Sequence, residues 1–172
     1  QPMIIQYFKY FWAIAEGDLG RSMRDGRPAL DVVIERVPLT LALTLPALVL
    51  NLLLGLSAGV IAALNRNSWI DRAIMTLSVV GFTVPSFVMG LVLAWIFAVK
   101  LKWLPSGGSG TWQHAILPVV TMGMIGAAVS ARFTRSAMLE VLGQPYIRTA
   151  SAKGLNWTSV VISHALPNAA IP

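Results

Sequence analysis

Two histidines, seven carboxylates and no cysteine are what this chain offers to chemistry. Acyl or phosphoryl transfer would need a nucleophile beside a base, or paired carboxylates within hydrogen-bond reach. The stretches 37–64, 73–99 and 115–131 contain no Asp, Glu, Lys or Arg, and the topology they dictate puts His114 and His164 on opposite faces. There is no HExxH helix, no metal-ligand cluster and no phosphate-cradling GxxxxGK[S/T] loop, since Lys153-Gly154 has the order reversed. The chain therefore reads as a non-enzyme without a cofactor of its own, and any nucleotide that drives it is bound elsewhere. The absence of cysteine also removes disulfides and thiolate metal sites.

What remains is "PYIRTASAKG" at 145–154, a short basic segment in a chain otherwise made mostly of hydrocarbon. Pro145 suits the first turn of a helix, where its missing N–H would have no partner anyway, and Gly154 suits the left-handed position just past the end. The spacing predicts a helix over 145–153, with Lys153 complementing the dipole in the last turn. Ile147, Ala150 and Leu155 offer an apolar side, Arg148, Ser151 and Lys153 a polar one, and the small Ala150 and Ala152 allow a partner surface to come close. So short a helix is not stable alone and needs a groove to dock in. The other reading of the residues is a surface helix lying on lipid headgroups.

The elements that must position this segment are membrane spans. The sequence is 56% hydrophobic and 12% charged with a mean hydropathy of +0.70, whereas a soluble domain carries about 25% charged residues. A helix crossing about 30 Å of hydrocarbon needs about 20 residues. The first two charge-free stretches suffice, and the third does once its helical pattern runs on through Arg132 and Arg135, whose long side chains can reach headgroups. Three spans are predicted, at about 37–64, 73–99 and 115–138, then a loop over 143–164 and the start of another apolar segment at 165–172. Arg66, Arg72, Arg132, Arg135, Arg148 and Lys153 fall on one side, against Arg36, Lys100 and Lys102 near the spans on the other. The more basic side is cytoplasmic by the positive-inside rule, so residues 1–36 face outward. The net charge of +6 is then a signature of topology and needs no nucleic acid.

Gly55 and Gly59, four apart, form a small-residue face for close helix packing. Pro46 and Pro85 each remove a backbone donor and favour a kink. Asn51 and Ser86 are the polar side chains expected toward the bundle interior, either lining a translocation path or hydrogen-bonding between helices. With no initiator Met and no signal at the start, a preceding span is expected, as is a continuation past 172.

Gly154, followed after nine residues by "HALP" at 164–167, resembles the glycine and Leu-Pro of the "EAA" loop of ABC importer permeases. Arg148-Thr149-Ala150 stands in place of Glu-Ala-Ala, as is common in the dipeptide/oligopeptide branch. The likeness to that branch covers nearly the whole chain: "GDLGRSM" at 17–23, "NSWIDR" at 67–72, "VPSF" at 84–87, "WLPSGG" at 103–108, "HAILP" at 114–118 and "ARFTRSAMLEVLGQPYIRTASAKGL" at 131–155. Pro145, Ser151 and Pro167 depart from the residues the branch often carries.

The resemblance implies an all-α membrane protein with part of the type I ABC importer transmembrane fold: three full transmembrane helices plus a cytoplasmic coupling helix, the family's first, fifth and sixth spans lying outside this chain. It implies a permease subunit in a bacterial or archaeal cytoplasmic (inner) membrane that imports dipeptides or oligopeptides by alternating access, with glutathione or nickel as alternatives. The partners implied are a second permease, two cytoplasmic ATPases that hold ATP and Mg, and an extracytoplasmic solute-binding protein. Tyr146, Ile147, Arg148, Thr149, Ala150, Ala152, Lys153, Gly154 and Leu155 would form the coupling helix and its stop. A structural membrane protein, known only by packing signals, is the remaining alternative.

Overall fold

The computed structural model describes residues 2–170, so the last two residues of the apolar segment expected at 165–172 lie outside the described residues. Every regular element among the described residues is helical, and the one strand-like pairing is an antiparallel bridge between Arg21 and Pro28. The chain divides into two compact units, Gln1–Leu43 and Thr44–Pro172.

The first unit holds α1 (Met3–Ala15), a loop, and the beginning of α2 (Ala29–Leu64). Tyr7, Phe8, Tyr10, Phe11 and Trp12 of α1 are all exposed. The loop is turned by the Arg21–Pro28 bridge and by the Asp18 carboxylate, which accepts the Gly20 N–H at 2.8 Å. Helix α2 starts well before residue 37. Asp31 in its first turn complements the dipole, and Glu35 pairs with Arg27 at 2.5 Å, so the charged turns stay helical beyond the hydrocarbon stretch.

In the second unit, α2 continues without interruption through Pro46 to Leu64. Its Gly55 and Gly59 meet α5 (Gln113–Leu142): a Cβ on Gly55 would lie 2.6 Å from Ser130 Cβ, and one on Gly59 would lie 2.5 Å from Thr134 Cβ and 2.6 Å from the Ala131 carbonyl oxygen. The expected small-residue face is therefore a seam between helices, and only glycine fits it.

The expected second span is broken in two. Helix α3 (Trp69–Thr83) begins at Ser68, whose hydroxyl accepts the Asp71 N–H. It stops at Val84, which takes extended angles (φ −71°, ψ 124°) as a residue before proline prefers. Helix α4 (Ser86–Ala94) starts after Pro85 and runs into a π-helical turn, Trp95–Lys100. The two halves meet at 102°, far more than a proline kink within one helix. Helices α2 and α5 are each long and apolar enough to cross a membrane, with the bent pair a third crossing if its halves act as one span.

Past α5 come α6 (Pro145–Ala152), α7 (Trp157–Val160), a π-helical turn at Val161–Ala165 and α8 (Leu166–Ala169). The main buried cluster lies here, built from Ala63 of α2, Met138 of α5, Ile147 and Ala150 of α6, and Val160, Val161 and Ala165.

Candidate functional site

Helix α6 forms where its end signals place it. Gln144 is extended, Pro145 opens the first turn, and the helix closes at Lys153, whose N–H donates to the Thr149 carbonyl at 3.1 Å. Gly154 then takes φ +82°, the left-handed stop. A Cβ there would touch nothing, so the backbone angle alone demands glycine.

The two faces of α6 are unequal. Ile147 and Ala150, three apart on one side, are 3% and 7% exposed and pack into the Met138 cluster. Tyr146, Arg148, Thr149, Ala152, Lys153, Gly154 and Leu155 are exposed. This corrects the expectation for Ile147 and Ala150. Both face this chain's own helices and cannot be the surface a partner meets; they seat the helix. An apolar stripe has the same spacing whether it covers its own fold or another protein, so the pattern alone could not separate the two. Beside the exposed face, Tyr146 lines a groove of about 320 Å³ together with Glu140, Gln144 and Asn168. Asn156 caps the next helix by accepting the Ser159 N–H at 2.7 Å.

The two polar side chains of the spans are not brought to one site. The Asn51 side-chain oxygen accepts the Ser130 hydroxyl at 2.8 Å, inside the α2–α5 seam and next to Gly126. It is engaged in helix-to-helix bonding, the second of its two expected roles. Ser86, at the start of α4, lines a hollow of about 600 Å³ with Phe87, Gly90 and Thr121.

A further site escaped the sequence reading. Arg135 of α5 grips Asp71 of α3 with both arms, Nε to Oδ1 at 2.6 Å and Nη2 to Oδ2 at 2.7 Å. Asp71 is 3% exposed and also accepts the Asn67 N–H at 3.0 Å. Arg135 is thus bound within the protein and not extended to headgroups. Arg132 lies with its guanidinium 4.8 Å from the centre of the Phe82 ring, its Nε buried and without a hydrogen-bond partner. The signal for the pair was present: Asp71 lies just before the second charge-free stretch and Arg135 just after the third, on the same predicted side of the membrane. Counting charges by loop concealed it. Among the described residues no three His, Asp or Glu side chains are gathered as for a metal ion.

Residues 55–172 match the family described as "Binding-protein-dependent transport system inner membrane component". The chain belongs to this family. Its helices carry that family's type I ABC importer membrane fold in part. Among individual proteins, the chain is 46% identical over all 172 of its residues to the "Glutathione transport system permease protein GsiC" of Escherichia coli strain CFT073, covering 56% of that protein. It is 45% identical to the proteins of the same name from Shigella dysenteriae serotype 1 and Salmonella paratyphi A, again over the whole chain and 56% of each relative. The chain thus spans about half the length of the curated relatives it matches.

Proposed function

We propose that this chain is the central part of the permease subunit of an ATP-driven importer, and that α6 is the helix through which cytoplasmic ATPases move the membrane spans. The observation that carries the reading is the division of α6: Ile147 and Ala150 fix it to the chain's own core, while Tyr146, Arg148, Thr149, Ala152 and Lys153 stand exposed on the other side, Tyr146 at the edge of a groove. A helix built to pass on a push must be fastened at its back and open at its front. The basic bias of the loops on its side of the spans supports a cytoplasmic position, with residues 1–36 on the outer face. The partners are a second permease, a pair of ATPases carrying ATP and Mg, and a solute-binding protein. The solute is a short peptide, and glutathione is the first to test because it stands in the relatives' names.

The test uses the absence of native cysteine. One cysteine replaces Ala152 in the full-length permease, which is co-expressed with its ATPases and treated with a thiol cross-linker. A cross-link that changes with ATP is expected from Ala152 and not from the buried position 150. A cysteine at 152 that reacts with a thiol reagent from the cytoplasm yet never joins the ATPase would return α6 to a headgroup-bound surface helix.

A further inference from the structure

The membrane end of the proposed push is the less obvious half of the mechanism. In lipid, helices gain nothing from hiding apolar surface from each other, so a contact of small residues holds two spans together without fixing how one follows the other. Part of the α3–α5 contact is of this kind. Gly81 lies against Ala128, and an apolar hollow of about 290 Å³ bounded by Ile74, Leu77, Met124 and their neighbours remains between α2, α3 and α5. One feature of that contact is directional, the two-armed Arg135–Asp71 pair. Its carboxylate is closed off by the Asn67 N–H at 3.0 Å, donated from a backbone held at φ +64°. Three residues further along α5, the wholly buried Met138 sits in the cluster that receives Ile147 and Ala150 of α6. Neighbouring turns of one helix therefore hold both α6 and α3, and α3 leads directly into the break at Val84–Pro85.

We infer that Asp71 and Arg135 form a joint that stays closed throughout the transport cycle and obliges α3 to follow α5 whenever α6 is displaced, which makes both of them positioning residues of the coupling machinery. This rests on α6 being the coupling helix. The physical reason for permanence is that opening the pair would take from a buried carboxylate the cation that hydrogen-bonds it, leaving the more distant Arg66, a costly state at every stage of a cycle. The joint is passive. It carries displacement and does not switch.

The experiment uses the full-length permease assembled with its ATPases in lipid vesicles, reading ATPase co-purification, ATP hydrolysis and solute moved per ATP hydrolysed. Asp71→Asn keeps the shape and removes the charge. Assembly and hydrolysis should persist while solute moved per ATP falls about tenfold, within the usual range of a coupling free energy. A purely structural role would lower assembly, hydrolysis and transport together. Because the Asn variant can fail to assemble, a second variant, Asp71→Cys with Arg135→Cys, decides independently. Left open, it should show the same loss of transport per ATP; closed with a short bifunctional thiol reagent, it should regain transport. A closed form that is inactive while the open form transports would overturn the inference, since the pair must then part during the cycle. So would an unchanged transport ratio in either unlinked variant. The Ala152 cross-link, run in parallel, separates the two ideas: its absence from the parent protein defeats the coupling-helix reading, whereas its presence with an unchanged transport ratio in Asp71→Asn defeats the joint alone.

Discussion

Replacing Gly59 with alanine adds one methyl group at the tightest point of the α2–α5 seam. That carbon would stand 2.5 Å from Thr134 Cβ and 2.6 Å from the Ala131 carbonyl oxygen, roughly 1 Å inside ordinary van der Waals contact. Neither atom can rotate away, because one is a Cβ and the other backbone, so α2 and α5 must separate along the seam. Overpacking of this kind costs about 1–3 kcal/mol, and the better helix propensity of alanine returns about 0.5–1 kcal/mol, leaving a net loss of about 1–2 kcal/mol. Gly90→Ala is the internal control. Its new carbon would lie 3.7 Å from Thr121 Cγ2, an ordinary contact, so it should be neutral or stabilising by about 0.5 kcal/mol. Gly123 and Gly126 fall between, since their closest contacts are outer side-chain atoms of Leu50 and Asn51 at 2.7 and 2.8 Å, while the fixed Cβ atoms behind them lie at 3.0 and 3.2 Å. The assay is unfolding of the purified full-length permease in mixed micelles titrated with a denaturing detergent, followed through its tryptophan fluorescence. The expected order of midpoints is Gly90→Ala, then Gly126→Ala, then Gly59→Ala. A Gly59→Ala midpoint at or above the parent, or a fall in Gly90→Ala as large as in Gly59→Ala, would refute the seam as described.

Gly154→Val should impair transport without changing membrane insertion, because φ +82° costs an L-residue about 1–2 kcal/mol and a β-branched one more; Gly154→Asn should retain most activity, and equal losses in the two variants would point away from the backbone angle. Ala150→Glu should unseat α6, since the new carboxylate would enter an apolar cluster from a position 7% exposed. Limited proteolysis between residues 143 and 156 measures this, and the exposed Ala152→Glu should leave the cleavage pattern at parent level; identical patterns for the two variants would contradict the seating.

The parts of the fold that are written locally were the parts legible in the sequence. Pro145 and Gly154 bound α6 through their own backbone preferences, and the four-residue spacing of Gly55 and Gly59 announced a close helix contact before its partner was known. The inward turn of Ala150 was hidden, because periodicity tells which residues share a face and not what covers that face. The Asp71–Arg135 pair was hidden for a different reason: its partners are 64 positions apart, and the rule used to orient the spans treats each charge as a property of its loop. Pro85 was read correctly as a disturbance, but its size was not in the residue. A proline within a helix bends it, whereas here Val84 has left helical angles and α4 begins anew, so two short helices replace one.

That break also has a consequence for solvent. Pro85 has no N–H to offer the carbonyl of Gly81, and after Val80, whose carbonyl accepts the Val84 N–H, the carbonyls of Phe82 and Thr83 have no following turn to receive them. Hydrocarbon cannot satisfy such groups; water or another polypeptide can. The corner between α3 and α4 therefore marks a side of the molecule that lipid tails do not wet. A map of hydration along the bundle, taken by solvent isotope exchange at the peptide groups of residues 81–88, would trace where the bilayer ends and the interior of the assembly begins.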